Sequence, residues 1–241
     1  MKRSITQCMQ LVGWVAGVSL LCSCTPQQPI RQVVDSNVVA PAFPEEYYRH
    51  AEIQGKRILR VDGKQSMVVL EVRRAGPFAH LGHDHVVASH DVSGFVAPDA
   101  GRADLSVPLD KLVVDEKDLR EEAGFGTQPT PDDIAGTRHN MLTKVLESQR
   151  FPLALIHIIE RNTTQRDAAM LDVTITLHGV SRTFSVPSIV QRTSDRMVVA
   201  GRMQFRQSDF GIVPFSILNG AIRVEDALAL RFRIVATRDN R

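Results

Sequence analysis

His80, His83 and His85 stand within six residues of one another, with Asp84 between the last two and His90 five positions further on. Such a cluster is open to three chemistries. If residues 84–87 begin a strand, the side-chain period of two puts His83 and His85 on one face. Two imidazoles so placed can share a transition-metal ion or meet haem iron, and His80 from the preceding loop would complete a three-nitrogen site with an open position. The same nitrogens can instead meet a quinone or lipid head group, or exchange protons with it. Third, Gly82-His83-Asp84 can form a turn whose side chains bond to the backbone. His139, His157 and His178 are scattered, and His178, at the corner His178-Gly179, reads as a hydrogen-bonded turn residue. No Gly-x-Ser-x-Gly, His-Glu-x-x-His or phosphate-cradling glycine loop occurs, so a binding protein is expected rather than an enzyme.

The three cysteines, Cys8, Cys22 and Cys24, all fall at the N-terminus. Lys2 and Arg3, an apolar run over residues 11–21 and the segment Leu21-Cys22-Ser23-Cys24 have the order of an export signal. The apolar run is too short to span a bilayer. Leu-x-small-Cys resembles the lipobox of bacterial lipoproteins. That resemblance implies cleavage before Cys24, a diacylglycerol on its thiol and an acyl chain such as palmitate on its amine. Several chains on one residue anchor a protein stably. Thr25 stands where a retention aspartate would, so the expected location is the periplasmic face of the outer membrane. The alternative is an ordinary signal peptide and a soluble mature protein.

The elements that must carry these residues follow from patterning. Residues 1–23 read as the signal peptide. Residues 24–54, punctuated by Pro26, Pro29, Pro41 and Pro44, read as the lipidated cysteine and a flexible tether, and 55–241 as one folded domain. The 29 basic and 27 acidic residues become equal in number once Lys2 and Arg3 leave with the signal, and no basic run exists, so no nucleic-acid partner is expected. Strands are predicted over 56–61, 65–73, 85–97, 102–109, 153–161, 168–177, 183–191, 196–206 and 227–236, separated by turn residues. Leu171, Val173, Ile175 and Leu177 alternate with Asp172, Thr174 and Thr176. Met203 and Phe205 lie on a second inward face. Helix-compatible spacing over 115–123 and 134–146 interrupts the strands, as a lid over a barrel mouth or an excursion on its outside. The fold class is therefore all-β, an antiparallel barrel or sandwich with a helical insertion between the middle strands.

Three segments resemble the YceI-like family. They are Leu171-Asp-Val-Thr-Ile-Thr-Leu-His178-Gly-Val-Ser-Arg-Thr-Phe-Ser-Val186, then Phe205-Arg-Gln-Ser-Asp-Phe-Gly-Ile212 with a closing strand that ends at Val235, and Phe151-Pro-Leu-Ala-Leu-Ile-His157. The resemblance implies an eight-stranded antiparallel lipocalin-like barrel that holds an isoprenoid lipid, either a polyprenyl chain or a quinone. Phe78, His83, His85, Leu171, Val173, Ile175, Leu177, Met203 and Phe205 would then contact the ligand. The chain departs from the usual family pattern at 121–142 and in its Gly-His-Asp-His stretch, which is similar to one branch of the family. The alternative function is a metal- or haem-binding redox accessory protein that uses His80, His83 and His85 and serves a membrane redox protein.

Overall fold

The computed structural model describes residues 42–161 and 167–238. Cys24, the expected signal peptide and most of the expected tether lie outside the described residues. Eight antiparallel strands close into an up-and-down barrel. They are β1 (Leu59–Val61 and Met67–Val72), β2 (His85–Ser89 and Ser93–Ala97), β3 (Arg102–Pro108, resumed at Val113–Val114), β4 (Leu153–Arg161), β5 (Ala168–Leu177), β6 (Val180–Arg192), β7 (Arg196–Arg206) and β8 (Ala227–Thr237). Each strand pairs with the next, and β8 closes on both halves of β1, through Val61↔Ala236 and Leu70↔Leu230. Closure removes the edges that an open sheet would expose.

Patterning explains most of these bounds, and hydrogen bonding explains the exceptions. β4, β5 and β7 fall where alternation places them. The stretch 85–97 is instead two half-strands parted at His90–Val92, and β3 resumes at Val113–Val114 beyond its expected end, whereas the break in β1 falls between the strands expected over 56–61 and 65–73. The interruptions in β1 and β2 abut, because a Cβ on Gly63 would lie 3.0 Å from the Val92 carbonyl. In β1 the break is a 3₁₀ turn over Gly63–Gln65, capped by the Asp62 carboxylate accepting from the N–H groups of Lys64 and Gln65. Buried Ser66 repairs the ladder: its hydroxyl accepts from the Val235 N–H at 3.0 Å and donates to the Val235 carbonyl at 3.3 Å. Polar backbone groups at a buried break require such partners. β6 begins at Val180, earlier than expected, because His178 and Gly179 both take positive φ and so make a tight hairpin turn.

Among the described residues three α-helices pack outside or across this barrel. α1 (Glu45–Ile53) occupies the end of the expected tether, so the packed part begins before Gly55. Its Tyr48 is buried and stacks on Phe95 with ring centroids 5.0 Å apart. The Tyr48 hydroxyl donates to Asp104 at 2.6 Å, and His157 Nδ1 lies 2.7 Å from the other oxygen of that carboxylate. α2 (Lys117–Glu122) and Phe125 cover the outward side chains Val69, Val86 and Ala88. α3 (Pro131–Asn140) starts at Thr130 with a reciprocal capping box to Asp133, then loosens into a π turn over Met141–Val145. The expected single helix over 134–146 is thus an α-helix followed by that wider turn. Thr176, expected on the water face, is buried and shares a hydroxyl–hydroxyl bond of 2.7 Å with Ser181.

Candidate functional site

The up-and-down order sends the connections after β1, β3, β5 and β7 to one end of the barrel. Three of these are long, and together they build that end. A small sheet of Arg74–Ala75, Ile222–Val224 and Ser216–Ile217 joins the connection after β1 to the one after β7. Gly76 makes this junction possible: its φ is +98° and a Cβ there would lie 2.6 Å from the Ala221 carbonyl. α3 and its π turn come from the connection after β3.

Inside lies a cavity of about 580 Å³, within the usual size range of small-molecule sites. Inward alternation supplies an apolar wall: Leu70 and Val72 from β1, Leu105 from β3, Ile156 and Ile158 from β4, and Leu228, Leu230 and Phe232 from β8. Leu171, Val173, Ile175 and Leu177 from β5 and Met203 and Phe205 from β7 stand on the same wall, so the structure brings these six sequence-predicted residues together. His83 and His85 line the cavity at the built-up end, with Asp132, Asp133, Thr137, Asn140 and Met141 from α3 and its turn. Phe78 and His80 are not on the lining. Phe78 is half exposed on the rim, beside His80, with Leu81, Val213, Ile217 and Leu218 likewise exposed.

Each half of the histidine pair has a distinct environment. His85 alternates with Val87 and Ser89 on the lumen face of β2. Its Nδ1 lies 2.6 Å from Asp115 Oδ2, and the Asp115 side chain is fully shielded from water. Asp115 also accepts from the Val86 N–H at 3.0 Å and from the Arg120 guanidinium. Burial alone would raise the Asp115 carboxyl, but the bonds from His85, the Val86 N–H and Arg120 outweigh it and hold the group below the usual carboxylate range. Arg120, itself 2% exposed, further donates to the Asp84 and Thr127 carbonyls. The His83 ring centroid is 6.3 Å from that of His85, and its Nδ1 is buried without a hydrogen-bond partner. His83 Nε2 stands 4.0 Å from Asp133.

The expected metal trio does not assemble. His80 sits on a separate 3₁₀ turn, and among the described residues no three His, Cys, Asp or Glu side chains gather closely enough to hold a metal ion. Asp115 and Arg120 went unrecognised from sequence. Asp115 is thirty residues from His85, and only the pairing of β2 with Val113–Val114 brings the two together.

Comparisons with known proteins place this geometry. A search of curated proteins gives no match. Among solved structures, a polyisoprenoid binding domain from Saccharophagus degradans implicated in plant cell wall breakdown superposes with a TM-score of 0.52 at 14% identity, covering 75% of this chain and 98% of that one. BcnA of Burkholderia cenocepacia superposes with a TM-score of 0.53 at 15% identity, covering 73% and 99%. At such identities the likeness is one of fold. The model of the YceI-like domain matches residues 59–236, from the first barrel strand to the last, and the chain therefore belongs to the YceI-like domain family.

Proposed function

We propose that this protein is a lipid carrier of the periplasm, tethered to the outer membrane through Cys24, with an isoprenoid such as a polyprenyl chain or quinone held inside its barrel. The observation that carries this reading is the cavity of about 580 Å³, apolar along the strands and polar at one end. That division matches an amphiphile with one polar terminus, because an apolar wall stabilises a hydrocarbon tail while a few placed polar groups fix its head. The half-exposed rim of Phe78, Leu81, Val213, Ile217 and Leu218 supports exchange of the ligand with a lipid surface. The order Leu21-Cys22-Ser23-Cys24 supports the tether.

Mass spectrometry of an organic extract from the purified protein tests the reading, alongside metal analysis of a preparation without a histidine tag. An isoprenoid at near-equal stoichiometry is the expected result. An extract free of lipid, from protein that also takes up none when offered it, would sink the proposal.

A further inference from the structure

We propose that the polar end of the cavity selects an uncharged hydroxyl head group, which donates its hydrogen bond to Nε2 of His85. This inference rests on the lipid-binding reading above and adds to it the chemistry of the head group.

The argument begins at Asp115. Its carboxylate is sealed from water and accepts from three sides: His85, the Val86 N–H and Arg120. A carboxylate so supplied has no proton to give, so the shared hydrogen belongs to His85 Nδ1, an assignment made from the hydrogen-bond network. In a neutral imidazole the other nitrogen must then be an acceptor. His85 lines the cavity, so it presents a fixed lone pair there, and a ligand donor is what that lone pair lacks. His83 supplies the second observation. Its Nδ1 is buried at the same end with no protein partner, and a buried polar atom left unpaired carries a cost that a bound polar group can relieve.

Charge at this end argues against a phosphate. Asp132 and Asp133 belong to the lining. Arg74 is committed to the Gly82 carbonyl and to Asp84. Arg120 is buried against Asp115, Asp84 and Thr127. Among the described residues lining this end, Arg223 is the remaining cation. Two carboxylates against one such cation give a diphosphate no net attraction.

A polyprenol and a reduced isoprenoid quinone both offer the required hydroxyl, and the test separates them. Binding to the full chain is measured at pH 8 for geranylgeraniol, its methyl ether and its diphosphate. Decylubiquinol and decylubiquinone are measured under reducing and oxidising conditions. The expected result is an affinity about tenfold higher for geranylgeraniol than for the ether, or for the quinol than for the quinone, with the diphosphate weaker than the alcohol. Whichever hydroxyl compound shows the preference identifies the source. His85→Leu should bring that compound down to the level of its partner and leave the ether or quinone unchanged. Should the variant fail to fold, the preference of the parent protein alone decides. Equal binding within both pairs, tighter binding of the diphosphate, or a preference that survives in folded His85→Leu would overturn the proposal. If no compound binds at all, the lipid-binding reading itself falls.

Discussion

Single residues on this barrel differ in consequence by which face they occupy. Val173 is buried and lines the cavity, whereas its neighbour Thr174 faces outward and pairs with the Thr183 hydroxyl at 2.8 Å. Val173→Lys puts an unpaired charge into an apolar interior and should cost about 4 kcal/mol or more, enough to lose the thermal transition. Thr174→Lys should stay within about 1 kcal/mol in the same melt; the reverse ranking would mean that the strand register is inverted. Asp115 poses a different question, because its carboxyl is held below the usual range. A depressed folded-state pKa adds stability that is present above the unfolded value, about 3.9, and is lost as pH falls through the folded value. Urea melts between pH 7 and pH 3 should therefore show part of the acid-induced loss vanish in Asp115→Asn, which starts less stable at neutral pH. An identical acid slope in both proteins would show that Asp115 does not carry the effect. The faces of Val173 and Thr174 were legible from alternation alone. The bond of Asp115 to His85 was not, since nothing in local spacing records which strand lies beside which.

At the level of elements, what sequence revealed depended on whether a residue's partner is its own neighbour. β5 was legible because its two faces alternate along most of its length, and β4 and β7 because turn residues bound their apolar runs. The break in β1 was legible as well, since the strands expected over 56–61 and 65–73 are separate, but those of β2 and β3 were not, because their partners lie across the sheet, as the Val92 carbonyl meets Gly63. α1 was hidden for the same reason: the bond of Tyr48 to Asp104 spans 56 residues. α3 was recognised as helix but displaced. The apolar side chains Met141, Leu142, Val145 and Leu146 fall in the π turn and just after it, and α3 has no buried residue. It is held by its capping box, by half-buried Ile134 packing on the core and by Arg138 donating to the carbonyls of Leu112 and Asp110. An element with so little burial opens at low free-energy cost. Hydrogen exchange should therefore be much faster over 131–140 than over the central pairs of β5, β6 and β7. Bound lipid should slow it, because Asp132, Thr137 and Met141 all stand at the cavity. Protection in α3 equal to that of the strands would mean that it is a fixed part of the barrel wall.

The whole molecule joins a ligand-sized interior to an apolar rim and to an N-terminus that resembles a lipid-attachment signal. Each part has its own physical test, and together they make the carrier reading coherent. No helix among the described residues is long and apolar enough to cross a membrane; the proposed attachment is acylation of Cys24. Several acyl chains on one residue give stable anchorage. Cys24→Ser should therefore move the protein from the membrane fraction to the soluble fraction. Cys22→Ser should leave it in place, since Cys22 occupies the tolerant middle of the motif. Lipid transfer then isolates the rim. Leu81→Glu combined with Leu218→Glu alters two exposed side chains that do not line the cavity and should leave the melting temperature within about 2 °C, as surface changes usually do. Uptake of a fluorescent isoprenoid from neutral vesicles should nevertheless slow severalfold, while the affinity for lipid already in solution changes little. Membrane retention of Cys24→Ser would remove the anchor from the picture, and unchanged uptake by the rim variant would mean that the ligand enters elsewhere.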